Sequence, residues 1–252
     1  MKKLSETIEE LNLPEGSSPL SFEEKWAKLE RERAELTAKI LENAEATIIE
    51  RNRQAWIKSS KYLSMTFEKD NGNMPEITKR CKSFTENFDK YKANEVGLLL
   101  YGEPGGGKTF MAAAIANELI TRGYKATITT LTDIIRGQMD FDNAEYNMGR
   151  LLGFDCLVID DMGMNRSTPY ADEVVQSLVD KCIVNKVVLV VTTNYSKKAM
   201  QEIINSPSFE NLAYARLFSR ILGNCESVLV SGVANRSNDL QERLRKIHNE
   251  TN

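Results

Sequence analysis

Gly97-Leu98-Leu99-Leu100-Tyr101-Gly102-Glu103-Pro104-Gly105-Gly106-Gly107-Lys108-Thr109 is the stretch that decides the fold of this 252-residue chain. Val96–Tyr101 is an apolar run of strand length, and residues 102–109 match GxxxxGK[ST] in full. The glycines let the backbone turn so that successive N–H groups face phosphate oxygens. Lys108 supplies a counter-charge for the β- and γ-phosphates, and Thr109 supplies a hydroxyl for Mg²⁺. The helix predicted over Thr109–Thr121, Ala-rich and stopped by Gly123, offers its N-terminal end to the anion. Strand, loop and helix in that order are the context the motif requires, so Gly102, Glu103, Pro104, Gly105, Gly106, Gly107, Lys108 and Thr109 are expected to hold ATP with Mg²⁺.

Outward from this loop, apolar runs alternate with helical patterns. Lys125–Leu131, Phe154–Asp160, Val187–Thr193 and the short Ser227–Ser231 read as further strands, with Ala171–Asn185 as a helix and Thr132 as a helix cap. Strands separated by helices mean βαβ units and a parallel sheet covered on both faces. The third strand ends Leu157-Val158-Ile159-Asp160-Asp161. An acid at a strand tip beside the loop suits the metal, which assigns Asp160 to Mg²⁺ and Asp161 to the attacking water. Phosphoryl transfer needs positioning and charge stabilisation rather than covalent chemistry. The fourth strand ends Thr192-Thr193-Asn194, and Asn194 is a turn residue or a second group orienting that water.

The N-terminal part differs. Residues 1–20 are polar, with Pro14, Gly16 and Pro19, and read as a loop. Ser21 with Glu24 forms a capping box. Phe22, Trp26, Leu29, Leu36, Ile40, Ala44 and Ile48 then recur at helical spacing on a face opposite many Glu, Lys and Arg. The pattern runs to about Tyr62 and predicts a helical hairpin or small bundle. Lys69-Asp70-Asn71-Gly72-Asn73-Met74-Pro75 is the clearest break. Two domains are expected, a helical partner-binding one over 1–63 and an α/β one over 64–252.

Composition narrows the function classes. A 41% hydrophobic, 27% charged chain is ordinary for a globular protein, and no apolar run approaches the roughly eighteen residues of a membrane span. The N-terminus lacks the apolar core of a secretory signal, so a cytoplasmic location is expected. Cys81, Cys156, Cys182 and Cys225 have neither zinc-site spacing nor a disulfide pattern. The single histidine, His248, leaves little room for His-based catalysis. Net charge is −3, so any contact with DNA must be local. Residues 51–82 carry Arg51, Arg53, Lys58, Lys61, Lys69, Lys79, Arg80 and Lys82 against Glu68, Asp70 and Glu76, interleaved with Trp56, Tyr62 and Phe67. Such a segment either holds a single strand or is a solvated linker with its aromatics tucked into a core.

With GLLLYGEPGGGKT, LVIDDMG, TTNYS, LFSRILGNC and GVANR read together, residues 64–240 resemble AAA+ ATPases of the DnaC/DnaI-type helicase-loader and IstB-like ATP-binding group. The resemblance implies an AAA+-type P-loop sheet flanked by helices, with no C-terminal lid domain, the residues after Arg236 being too few to build one. It implies that Arg220, with Arg216 as second choice, reaches a neighbouring subunit's ATP, and that Arg236 contacts nucleotide within its own subunit. A guanidinium at either place would stabilise developing phosphate charge. It implies DNA-facing elements after the second and third strands, with Phe141, Thr168 and Tyr170 as candidates.

The implied function is ATP-dependent loading of a hexameric replicative DNA helicase onto single-stranded DNA. The helicase would be bound through the N-terminal helices, with self-association into a hexamer or helical assembly. The alternative is an IstB-type ATPase that assembles on DNA and stimulates a transposase. A small-molecule kinase is the third class, but no arginine-rich lid for a second substrate is present. The family usually carries Asp-Glu where this chain has Asp160-Asp161, so hydrolysis is expected to be slow and stimulated by oligomerisation or DNA.

Overall fold

The structure, a computed structural model, describes residues 22–140, 142–163, 168–208 and 212–231. Helix α1 (Phe22–Trp56) is followed by α2 (Ser60–Leu63), a 3-10 turn (Phe67–Lys69), α3 (Pro75–Glu86) and α4 (Phe88–Ala93). Then come β1 (Gly97–Tyr101), α5 (Lys108–Thr121), β2 (Ala126–Thr130), α6 (Leu131–Met139), α7 (Ala144–Leu152), β3 (Cys156–Met162) and α8 (Pro169–Val184). The series ends with β4 (Val188–Thr193), α9 (Lys197–Asn205), α10 (Leu212–Asn224) and β5 (Cys225–Leu229).

The five strands form one parallel sheet in the order β2-β3-β4-β1-β5. Leu98 and Leu100 bury one way, with α5 and the end of α1, while Leu99 buries the other way, with α6, α8 and α10. Both faces are covered, which is why the strands read as unbroken apolar runs. The order brings the C-terminal ends of β1, β3 and β4 side by side, the expected place for a ligand in an open α/β sheet.

Local signals set most boundaries. Helix α5 ends where Gly123 takes a left-handed φ of 89° and Tyr124 N–H donates to the Leu119 carbonyl, a Schellman stop. The helix after β2 is capped by Thr130 rather than Thr132. The Thr130 hydroxyl accepts from Asp133 N–H at 3.1 Å and donates to the Asp133 carboxylate at 2.8 Å, so the capping pair begins one step before Leu131.

The N-terminal part departs from expectation. Among the described residues α1 is one helix of 35 residues, not a hairpin, and it contains no Gly or Pro that could turn the chain. Ser21 of the expected capping box lies outside the described residues. Residues 24–48 are exposed throughout, including Trp26, Leu29, Leu36 and Ile40. The division between two compact units falls between Ile48 and Ile49, upstream of the expected boundary after residue 63. The cause is burial beyond that point. Ile57 is 1% exposed, Trp56 stacks edge-on against Phe154, and Arg53 donates to Asn117 at 2.9 Å.

Candidate functional site

Between β1 and α5 the loop bends at Gly102 (φ 145°), Gly105 (φ 86°) and Gly107 (φ 94°). A side chain is blocked by backbone at Gly102 and strained by the left-handed φ at Gly107. A Cβ on Gly102 would lie 2.4 Å from the Val230 carbonyl oxygen, and one on Gly107 would lie 2.7 Å from Met74 Cε. Lys108, the first residue of α5, is 7% exposed, and its Nζ donates to the carbonyls of Gly102 and Glu103 at 2.8 Å each. The loop is thus wrapped around a buried ammonium at a helix N-terminus, an arrangement that favours an anion.

Asp160 stands beside it, 5% exposed near the C-terminal end of β3. Its Oδ1 accepts from the Thr109 hydroxyl at 3.0 Å and from the Thr192 hydroxyl at 2.7 Å. Its Oδ2 accepts from the Tyr62 hydroxyl at 3.2 Å. Burial first, and the negative Asp160 second, push the Tyr62 phenol above its ordinary range, so it stays a donor. Thr192 also accepts from Asp161 N–H at 2.8 Å, so one hydroxyl links β4 to both acids.

Asp161 differs from its neighbour. Between Ile159 and Met162 the pairing slips: three steps along β3 match two along β4. Asp161 sits within this bulge at φ 60° and is exposed. Asp tolerates the left-handed region better than most residues, yet the conformation costs about 1 kcal/mol or more and is the kind found at functional sites. Its carboxylate accepts from Asn194 Nδ2 at 3.2 Å. The structure thus brings Lys108, Thr109, Asp160, Asp161 and Asn194 together. Tyr62 and Thr192 were not expected there. Thr192 was legible as part of the polar end of β4, but Tyr62 had no signal, because it lies 98 residues from its partner.

The remaining candidates lie apart from this cluster or outside the described residues. Arg220 on α10 forms an ion pair with Asp180 on α8. Arg216, on the same helix, is exposed and has no ion pair among the described residues. Arg236 and Phe141 lie outside the described residues. Thr168 caps α8, accepting from Ala171 N–H at 3.2 Å. Tyr170 is half-buried and donates to the Gln138 carbonyl at 2.8 Å. The aromatics of residues 51–82 are engaged: Trp56 with Phe154, Tyr62 with Asp160, and Phe67 in the core. This matches the tucked-in reading of that stretch for its aromatics, while Arg51, Lys58, Lys61, Lys69, Lys79, Arg80 and Lys82 are exposed.

A family model described as IstB-like ATP binding protein matches residues 24–244. The chain belongs to this family. The family binds ATP, and its glycine cradle and buried Lys108 suit a triphosphate. The hydroxyl of Thr109 and the carboxylate of Asp160 are hard oxygen donors that fit Mg²⁺, and no cluster of three or more His, Cys, Asp or Glu offers another metal site among the described residues.

Among curated proteins, this IstB-like chain is 31% identical over 138 residues to the replicative helicase loader DnaC of Escherichia coli (strain K12), covering 53% of the chain and 55% of that protein. It is 32% identical over 95 residues to a putative insertion sequence ATP-binding protein of Sinorhizobium fredii, covering 35% of the chain and 31% of that protein. The chain thus spans about half or less of the length of these relatives. Among solved structures, a DnaC helicase loader aligns with a TM-score of 0.58 at 21% identity, over 69% of this chain and 100% of that one. AMPPCP-bound DnaA from Aquifex aeolicus aligns with a TM-score of 0.53 at 17% identity, over 75% and 56%. The fold is therefore the α/β AAA+ fold of these proteins. No helix among the described residues is long and apolar enough to cross a membrane.

Proposed function

We propose that this chain is a cytoplasmic ATPase that loads a hexameric replicative DNA helicase onto single-stranded DNA. The observation that carries the reading is the convergence of Thr109 and Thr192 on buried Asp160 beside Lys108, with Asn194 on Asp161. In this reading Lys108 neutralises the phosphates, and Thr109 and Asp160 hold Mg²⁺. Asp161, with Asn194 fixing its carboxylate, positions and polarises water. Mg²⁺ would supply charge neutralisation at the phosphates. The exposed apolar face of α1, with Trp26 and Leu29, docks on the helicase. Self-association into a hexamer or helical assembly brings an arginine to the next subunit's nucleotide. Arg220 must leave Asp180 to serve, so Arg216 is the alternative. The identity to a helicase loader over 138 residues supports this reading, and the insertion-sequence relative supports the second one, an IstB-type partner of a transposase.

Calorimetry with ATP and Mg²⁺ tests the core of the reading. Lys108→Ala should weaken ATP binding by on the order of a hundredfold or more while leaving helicity unchanged, because a buried charge partner is lost without a core contact. Equal affinity in the variant would remove the nucleotide assignment. Co-purification of the full chain with the helicase or the transposase of its host separates the two partner readings.

A further inference from the structure

Asp160 is the best-satisfied carboxylate of the site, and one of its donors comes from outside the nucleotide motifs. A carboxylate offers roughly four lone-pair positions. Thr109 and Thr192 take both on Oδ1, and Tyr62 takes one on Oδ2. Thr109 is also the hydroxyl assigned to Mg²⁺. Once it turns to the metal, Thr192 and Tyr62 are the side chains left holding the two carboxylate oxygens. Tyr62 thus fixes the carboxylate plane.

The backbone around Tyr62 is held in turn by α5. Asn117, 2% exposed, donates through Nδ2 to the carbonyls of Tyr62 at 2.8 Å and Met65 at 2.9 Å. Its Oδ1 accepts from Arg53 Nε, and Arg53 Nη2 donates to the Leu63 carbonyl at 2.8 Å. The contacts close a ring: Thr109 at the start of α5, Asp160, Tyr62, then Asn117 further along α5. Helix α5 is buried along most of its length, whereas residues 58–65 are exposed or half-buried and are the freer side of the ring. A change in the hydrogen bonds of Asp160 is therefore taken up by residues 57–65, the stretch immediately after α1.

We propose that Tyr62 is a positioning residue for the metal-binding carboxylate, and that through it residues 57–65 register whether Mg²⁺ and nucleotide are bound. The inference rests on the nucleotide–magnesium reading above. It gives the chain a route by which the occupied site alters the segment that follows the partner-binding helix.

The test uses the full chain, wild type and Tyr62→Phe, with a fluorescent ATP analogue. The ring is kept in the variant, so the melting temperature should stay close to wild type. In EDTA both proteins should bind the analogue within about twofold of each other. With Mg²⁺ titrated in, the half-saturating concentration should rise about tenfold or more in the variant, the usual cost of removing an outer-shell partner. Amide hydrogen exchange supplies the second readout. In wild type, residues 57–65 should exchange differently with Mg²⁺ and nucleotide than with nucleotide in EDTA, and in Tyr62→Phe that difference should vanish. An unchanged Mg²⁺ dependence in the folded variant overturns the positioning role. Identical exchange of 57–65 in wild type under both conditions overturns the coupling. If wild type binds the analogue with no response to Mg²⁺, this proposal fails while the nucleotide site stands. If wild type binds no nucleotide, both fall.

Discussion

Helices α1 and α5 both carry many apolar residues, at helical spacing in α1 and as an unbroken run in α5, and their surroundings are opposite. Helix α5 buries ten of its fourteen residues, including the run Met111–Asn117. Helix α1 leaves Trp26 at 55%, Leu36 at 60% and Ile40 at 59% exposure. Side-chain size and the remaining residues account for the contrast. Ala112, Ala113, Ala114 and Ala116 make α5 thin enough to lie against the sheet with other elements packed around it. In α1 much of the rest of the helix is Glu, Lys and Arg, whose burial without partners is costly. A period of 3.6 marks a face that avoids water, but not what covers it. Helix α5 builds the core on nearly every side, whereas the apolar stripe of α1 is exposed.

The contrast can be broken most directly at Asn117. Asn117→Ala strands the carbonyls of Tyr62 and Met65 and the guanidinium of Arg53, so it should cost about 2–3 kcal/mol in denaturant unfolding with an unchanged m-value. A loss below about 0.5 kcal/mol, the level of an ordinary surface change, would mean that burial in α5 is not what holds residues 53–65.

Alkaline melting sharpens the comparison, because α1 has none of the four cysteines. Burial raises the thiols of Cys81, Cys182 and Cys225 from the ordinary 9.0 to about 12, and Cys156 is raised as well. A thiol whose value is higher folded than unfolded resists ionising in the folded state. Its contribution is complete below pH 9 and drains as pH rises towards 12. The melting temperature of the sheet unit should therefore fall from pH 9 upwards, and thiol reagents should react slowly with the folded protein. Fast labelling of all four thiols at pH 8 would contradict the burial.

The smallest effect is expected in α1. Leu36→Ala and Ile40→Ala should each change unfolding free energy by less than about 0.5 kcal/mol, since both side chains are already in water. If the stripe is a docking face, the same substitutions should weaken partner binding tenfold or more, because a helix laid in a groove is held by its apolar anchors at i, i+3, i+4 and i+7. A large stability loss in the isolated chain would show that α1 is core after all.

Much of the site was legible because its parts are contiguous. Residues 102–109 carry loop, ammonium and hydroxyl in eight positions, and Asp160-Asp161 and Thr192-Thr193-Asn194 mark strand ends by a change from apolar to polar. Strands buried on both faces announce themselves as runs such as Leu157-Val158-Ile159. The sequence by itself therefore determined the α/β class, the glycine loop with Lys108 and the acids at the end of β3, since each depends on neighbours in the chain. The tertiary structure alone decided the strand order, the bulge that turns Asp161 towards Asn194, the Arg220–Asp180 pair and the Tyr62–Asp160 hydrogen bond. Those contacts join residues 33 to 98 apart along the chain. No local propensity encodes them, because they form only once the sheet has brought its strand ends together and α5 has fixed the segment that carries Tyr62.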